Sequence, residues 1–266
     1  AGKSDGGRPY RGGGVPPTPT AQDQARFNSE SLVRIARLMS RAGDTNRAEM
    51  VVHRVADLYA GQPGLIRLTV DLALELKLTS AAVKISRSAA TDGIDFADYV
   101  YPTLSGIGTG GVEPAFVYGI IRQESSFDAD AMSGAGALGL MQIMPATAKE
   151  VARAERAAHH TGRLTSDPKH NVRLGSAYLK KLVDRFGSYA LAAAAYNAGP
   201  RRVNEWIERN GDPRTGDISL VDWIERIPVY ETRNYVQRVM EGTAIYRQRM
   251  GTETSGLDPL YRIKTK

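Results

Sequence analysis

Residues 114–126 read PAFVYGIIRQESS. A proline at the start suits the first turn of a helix, where its missing N–H would go unbonded anyway. Phe116, Ile120 and Glu124 are four apart, and Val117, Ile121 and Glu124 are four and three apart. At helical pitch these five side chains lie near one face, the face that meets a core. The spacing predicts an apolar stripe that ends in a carboxylate. Desolvation disfavours the charged form, raises a carboxyl pKa and makes it a general acid near neutral pH. The plain alternative is a helix end with Glu124 bent to solvent, and the stretch taken alone favours it.

On the N-terminal side lies YPTLSGIGTGG (101–111), a loop rich in glycine and turn residues that marks a domain boundary. Before it, residues 22–90 read as several helices stacked as hairpins, without a repeat of fixed period. Leu32, Ile35 and Met39 form one stripe. Asn46 with Glu49 resembles a capping box, followed by Met50, Val51, Val55 and Leu58. Leu65, Leu68, Leu72 and Leu76 form the next stripe. Residues 1–20 are Gly/Pro-rich and nearly lack large apolar side chains, as a disordered tail does.

On the C-terminal side a small-residue loop, DADAMSGAGALG, precedes LMQIMPATAKEVA, which re-enters a helix near Pro145. A small hairpin near 133–143 is compatible with the pattern. A helix after Asp167-Pro168 stops at Gly187. An alanine helix, SYALAAAAYNAGP, ends at Gly199-Pro200, a short helix carries Val203 and Trp206, and a long one follows Pro228. No segment alternates as a strand would, so the expected class is all-α, with domains at 21–100 and 101–252 and a loose tail at 253–266.

The 266 residues contain no cysteine, which excludes disulfides, thiolate chemistry and a Cys-based zinc site. A formal charge of +6 favours an anionic partner. No Lys/Arg block is interleaved with aromatics, so nucleic acid is not expected. No apolar run reaches the length of a membrane span, and AGKSDGG is not a signal peptide. His53, His159, His160 and His170 show no metal-ligand spacing, read as surface or loop residues, and no metal or other cofactor is expected.

Several polar residues stand where a packed helical protein would not choose them: Gln142 inside GLMQIMP, Tyr196-Asn197 at the Gly-Pro corner, and Glu231 and Tyr235 at the start of the last helix. Each has an ordinary explanation alone, as a turn cap, a core tyrosine, a helix C-terminal Asn or a helix N-terminal acid. In order, however, RQESSFDADAMSGAGALGLMQIMPATA, NVRLGSAYLKKLVDRFG, AAAAYNAGPRRVNEWI and IPVYETRNYVQRVM resemble the signature blocks of the soluble lytic transglycosylases across about 109–250. That resemblance implies a lysozyme-like, mostly α domain with a glycan cleft, and a peptidoglycan substrate. It implies cleavage of the β-1,4 bond between N-acetylmuramic acid and N-acetylglucosamine, leaving 1,6-anhydromuramic acid ends, and a place in the periplasm or cell envelope with any signal peptide removed.

By the same resemblance Glu124 is the single catalytic acid/base. Ser133 is the serine that contacts the N-acetyl sugar or the Glu side. Gln142 and Met144 line the cleft beside the scissile bond. Tyr196 holds the N-acetyl group or the Glu, Asn197 belongs to the same motif in a structural part, and Glu231 helps bind the glycan. Leu138 departs from the small polar residue many relatives carry there, which bears on packing. Asp128 and Asp130 sit on a polar loop and read as solvated rather than as the nearby nucleophile of a retaining glycosidase. The helices of 22–90 look like the end of an α-superhelix, with a free-standing helical adaptor as the alternative. A water-admitting muramidase and a binding protein that has lost turnover are the rival functions.

Overall fold

The computed structural model describes residues 17–94, 96–104 and 106–252. Residues 1–16 and 253–266, most of the two expected loose tails, lie outside the described residues. Among the described residues all regular structure is helical, and extended pairing is limited to the isolated bridges Met132–Leu138 and Leu138–Ile143. The small hairpin expected at 133–143 is thus a loop pinned by two bridges.

The chain divides into two compact units between Pro102 and Thr103. The first holds α1 (Ala21–Ser29), α2 (Ser31–Arg41), α3 (Thr45–Leu58), α4 (Pro63–Glu75), α5 (Thr79–Thr91) and α6 (Ala97–Val100). Thr20, expected in the tail, instead caps α1: its side chain accepts from Asp23 N while Asp23 accepts from Thr20 N. The cap of α3 is Asp44, accepting from Arg47 N, rather than the expected Asn46–Glu49 pair. Asp one residue before the helix reaches the free N–H groups directly, so Asn46 is already helical.

The expected stripes of α2 and α3 hold in part: Val55 is buried and Leu32, Met39 and Val51 pack against the core, whereas Ile35, Met50 and Leu58 are exposed and Val33, Ala36, Ala48 and Val52 are buried instead. Small residues allow the two axes to approach, so the contact line runs through the alanines and valines and the larger side chains flank it. In α4 the expected Leu65 and Leu72 are buried, with Leu68 and Leu76 packed against the same core.

The second unit holds α7 (Pro114–Glu124), α8 (Pro145–Ala154), α9 (Arg163–Ser166), α10 (Pro168–Phe186), α11 (Tyr189–Ala198), α12 (Pro200–Asn210), α13 (Leu220–Glu225) and α14 (Tyr230–Arg249). The stripe reading of 114–126 needs correction: every residue from Ala115 to Arg122 is buried, so α7 is a central helix with no solvent face over that length. Its neighbours are α14 along its length and the α11 ring Tyr189, which stacks on Phe116 with centroids 4.2 Å apart. Alanines 190 and 192–195 of α11 are all buried, which permits this density.

Candidate active site

The pairing of α7 with α14 sets the geometry. Arg247, near the end of α14, binds Glu113, at the start of α7, through Nε and through Nη2 at 2.6 Å. Midway, a Cβ on Gly119 would come 2.8 Å from Thr243 Oγ1 and 3.0 Å from Val239 O. At the far end, Tyr235 Oη donates to Glu124 Oε1 at 2.6 Å. The separations 113–124 and 247–235 span about 16 and 18 Å at 1.5 Å per residue. The helices are therefore antiparallel neighbours in register, and the glycine lets them close until the phenol reaches the carboxylate.

Glu124 is the last residue of α7 and is partly buried. Its pKa is pushed up to about 7 by burial first; the Tyr235 hydrogen bond works against this, and the charge of Glu231 adds to it. The carbonyl end of a helix also disfavours an anion. The carboxyl is thus protonated through the acid range and gives up its proton near pH 7. Tyr235 is buried and its own ionisation is displaced far upward by burial and by Glu124, so it remains a donor. Tyr235→Phe removes the one stabiliser of the anion among those three influences. The Glu124 carboxyl titration, followed by carbon-13 NMR, is expected to move upward from about 7 by roughly half to one pH unit. A downward or absent shift contradicts this account.

The second wall is the loop between α7 and α8. Gln142 has φ +46°, in the left-handed region where a non-glycine residue is strained. Its amide donates to Ala131 O at 3.0 Å and Gly139 O at 2.9 Å, so both amide hydrogens hold the loop and only the side-chain carbonyl is left for a ligand. Tyr196, at the end of α11, donates its hydroxyl to Met141 O at 2.8 Å. Its ionisation is pushed far up by burial and next by the charge of Glu124, which places phenol and carboxyl in one electrostatic cluster.

The other expected residues divide. Ser133 Oγ accepts from Ala137 N at 3.0 Å, a bond inside its own loop that leaves the hydroxyl proton for another acceptor. Met144 is exposed and is the N-cap residue of α8. Asn197 Oδ1 accepts from Thr232 Oγ1 at 2.7 Å and ties α11 to α14. Glu231 is exposed in the first turn of α14, and its charge bears on Glu124. Asp128 accepts from Asp130 N in a local turn. The reading of the histidines as surface or loop residues fails for His170, which is buried with Nε2 3.0 Å from His159 Nδ1. Asp167 caps α10 by accepting from the His170 backbone N–H at 3.0 Å.

Two contributors escaped assignment from sequence. Tyr235 was visible as the start of the last helix, yet its partner is 111 residues away. Asn171 is fully buried: its Oδ1 accepts from Met141 N at 2.9 Å, and its Nδ2 donates to Leu138 O and Leu164 O, both at 2.8 Å. An Asn inside the NVRLG block was the available signal. Among the described residues no group of three or more His, Cys, Asp or Glu side chains is placed to hold a metal ion.

Known proteins resemble this chain in sequence and in fold. Residues 106–218 match the family model described as the Transglycosylase SLT domain; α14, with Glu231 and Tyr235, lies beyond that match. The chain is 38% identical over 143 residues to the soluble lytic murein transglycosylase of Escherichia coli K12 and 37% identical over 142 residues to that of Salmonella typhimurium. Each alignment covers 53% of this chain and 21% of the relative. An inactive mutant of the lytic transglycosylase Slt from Pseudomonas aeruginosa superposes with a TM-score of 0.81 at 32% identity, over 92% of this chain and 40% of that one. The chain therefore spans about a fifth of the curated relatives and two fifths of the Pseudomonas structure. A buried helix ending in a glutamate of raised pKa, hydrogen-bonded by Tyr235, thus sits within a segment that matches the Transglycosylase SLT domain and within a fold that matches that of lytic transglycosylase Slt.

Proposed function

We propose that this protein is a peptidoglycan lytic transglycosylase acting in the periplasm, with residues 101–252 as its catalytic domain and Glu124 as its single acid/base. The observation that carries the reading is the state of Glu124: a carboxyl with a pKa of about 7 is protonated often enough to act as acid and ionises readily enough to act as base. The relatives named above are murein transglycosylases, which supports the same substrate here.

In this mechanism Glu124 gives its proton to the glycosidic oxygen between N-acetylmuramic acid and N-acetylglucosamine as the C1–O bond breaks. The N-acetyl group of the substrate stabilises the positive charge at C1, a substrate-assisted route. The Glu124 carboxylate then takes the proton of the C6 hydroxyl while O6 bonds to C1. The proton returns to the enzyme and no water is consumed. The attack is intramolecular and gains the proximity advantage a bulk water lacks. Tyr235 steadies the carboxylate between the two transfers. Tyr196 and the Ser133 hydroxyl hold the N-acetyl side, Gln142 and Met144 line the cleft by the scissile bond, Asn197 braces the tyrosine helix end, and Glu231 binds the glycan and keeps the Glu124 proton affinity high.

Digestion of purified sacculi followed by mass spectrometry tests the chemistry. The released muropeptides are expected to end in 1,6-anhydromuramic acid, one water lighter than hydrolysed species and resistant to borohydride. Borohydride-reducible ends make the enzyme a muramidase.

A further inference from the structure

The Asn171 amide is fully buried on the first turn of α10, a helix fixed there by the Asp167 cap and by Pro168. One orientation of that amide suits its surroundings, because Met141 N presents a donor to it and the Leu138 and Leu164 carbonyls present acceptors. The bonds grip the loop at residue 138 and again at residue 141. Between the grips stands Gly139, and just after them Gln142 at φ +46°. The peptide that carries the Met141 carbonyl is the one Gln142 φ rotates, so the strained angle is what turns this carbonyl to the Tyr196 hydroxyl.

We infer that Asn171 is a positioning residue for Glu124, acting through the Met141 carbonyl and the Tyr196 hydroxyl. The inference rests on the reading of Glu124 as the acid/base. A phenol has one proton. While Met141 O accepts it, Tyr196 cannot donate to Glu124, and Tyr235 is the tyrosine that does. If the grip is released, Gln142 relaxes toward negative φ, the 141–142 peptide rotates, and the hydroxyl loses its acceptor. The Glu124 carboxylate, whose charge Tyr196 already feels, becomes the better acceptor. A second phenolic hydrogen bond favours the anion, so the acid is lost at a lower pH. Asn171 thereby keeps one tyrosine engaged elsewhere, so that the other alone sets the proton affinity.

The test is the full chain carrying Asn171→Ser, alone and with Tyr196→Phe, with folding checked by circular dichroism. Two readouts are taken: the carbon-13 titration of the Glu124 carboxyl, assigned by its loss in Glu124→Gln, and the pH profile of sacculus clearing. In Asn171→Ser the midpoint is expected to fall by about one pH unit, with clearing reduced several-fold more at pH 7.5 than at pH 5. In the Tyr196→Phe background the same substitution should leave the midpoint where Tyr196→Phe alone puts it. An unmoved midpoint in folded Asn171→Ser overturns the inference, as does a shift that persists without the Tyr196 hydroxyl. Should Asn171→Ser not fold, Gln142→Ala releases the same peptide from the other side and carries the same two expectations. The expected titration shifts together with undiminished clearing by Glu124→Gln would uphold this relay and overturn the acid/base reading instead.

Discussion

Glu124→Gln is expected to lower glycan cleavage by at least about a hundred-fold and toward 10⁴-fold, the range over which a positioned acid/base acts. The amide has nearly the same shape and still accepts the Tyr235 hydrogen bond, so the loss comes from the missing proton alone. The same substitution should stabilise the protein above neutral pH. Burial, opposed by Tyr235 and helped by Glu231, raises the folded-state pKa from 4.5 to about 7. Ionisation of Glu124 therefore works against folding: stability is complete below the unfolded pKa and declines as pH rises through the folded one. Because the carboxyl is partly open to solvent, the difference at pH 8 is on the order of 2 kcal/mol rather than the full value of the shift. Turbidity clearing of sacculi and thermal melting at pH 5 and pH 8 measure both effects. Substantial clearing by a folded variant rejects the acid/base role, and equal melting at both pH values, relative to wild type, rejects the electrostatic account of it.

Gly139→Ala is expected to be the most destabilising single methyl in the catalytic unit. Gly139 has φ +71°, and an added Cβ would lie 2.1 Å from Leu164 O and 2.4 Å from Asn171 Nδ2. Neither neighbour can withdraw easily: one is backbone, and the other is held by three hydrogen bonds. The cost combines left-handed strain with displacement of a buried polar bracket, about 3 kcal/mol or more, which corresponds to a fall in melting temperature of roughly 10 °C for a chain of this size. Activity should fall with it, because the loop that presents Gln142 and Met141 moves. Gly134→Ala in the same loop, where a Cβ meets nothing within 4 Å, is the control and should melt close to wild type. Equal melting of the two variants would show that the bracket around Gly139 yields without cost.

Much of the candidate site could be singled out because its residues lie in compact sequence blocks that together carry the resemblance. Glu124 ends an apolar run, Gln142 interrupts one, and Tyr196 stands at a Gly-Pro corner, so each is unusual within a window of a few residues. The stripe at 114–126 suggested a helix with one buried face, while the helix is buried on all sides. Periodicity cannot separate these cases when Ala115, Tyr118 and Gly119 are themselves compatible with burial. Part of the α2 and α3 stripes, at Ile35, Met50 and Leu58, was displaced for a related reason. Large apolar residues draw the eye, but the line of closest approach follows Ala36, Ala48 and Val52.

What chain-local information sufficed for is the class of structure, helices from 3.6-residue spacing and from Pro and Gly stops, and the presence of a carboxylate at the end of an apolar segment, which the resemblance rather than its own window marked as the proposed acid. Both follow from interactions within a few residues, which one window of sequence contains. The proton affinity of that carboxylate does not. It depends on Tyr235, 111 residues away, brought in by Gly119 and the Glu113–Arg247 pair. It depends also on a loop held by Asn171 from 30 residues away. Desolvation and hydrogen bonding are properties of what surrounds a group in space, and here the surroundings come from α10, α11 and α14, elements that meet α7 and its loop only once the domain has packed.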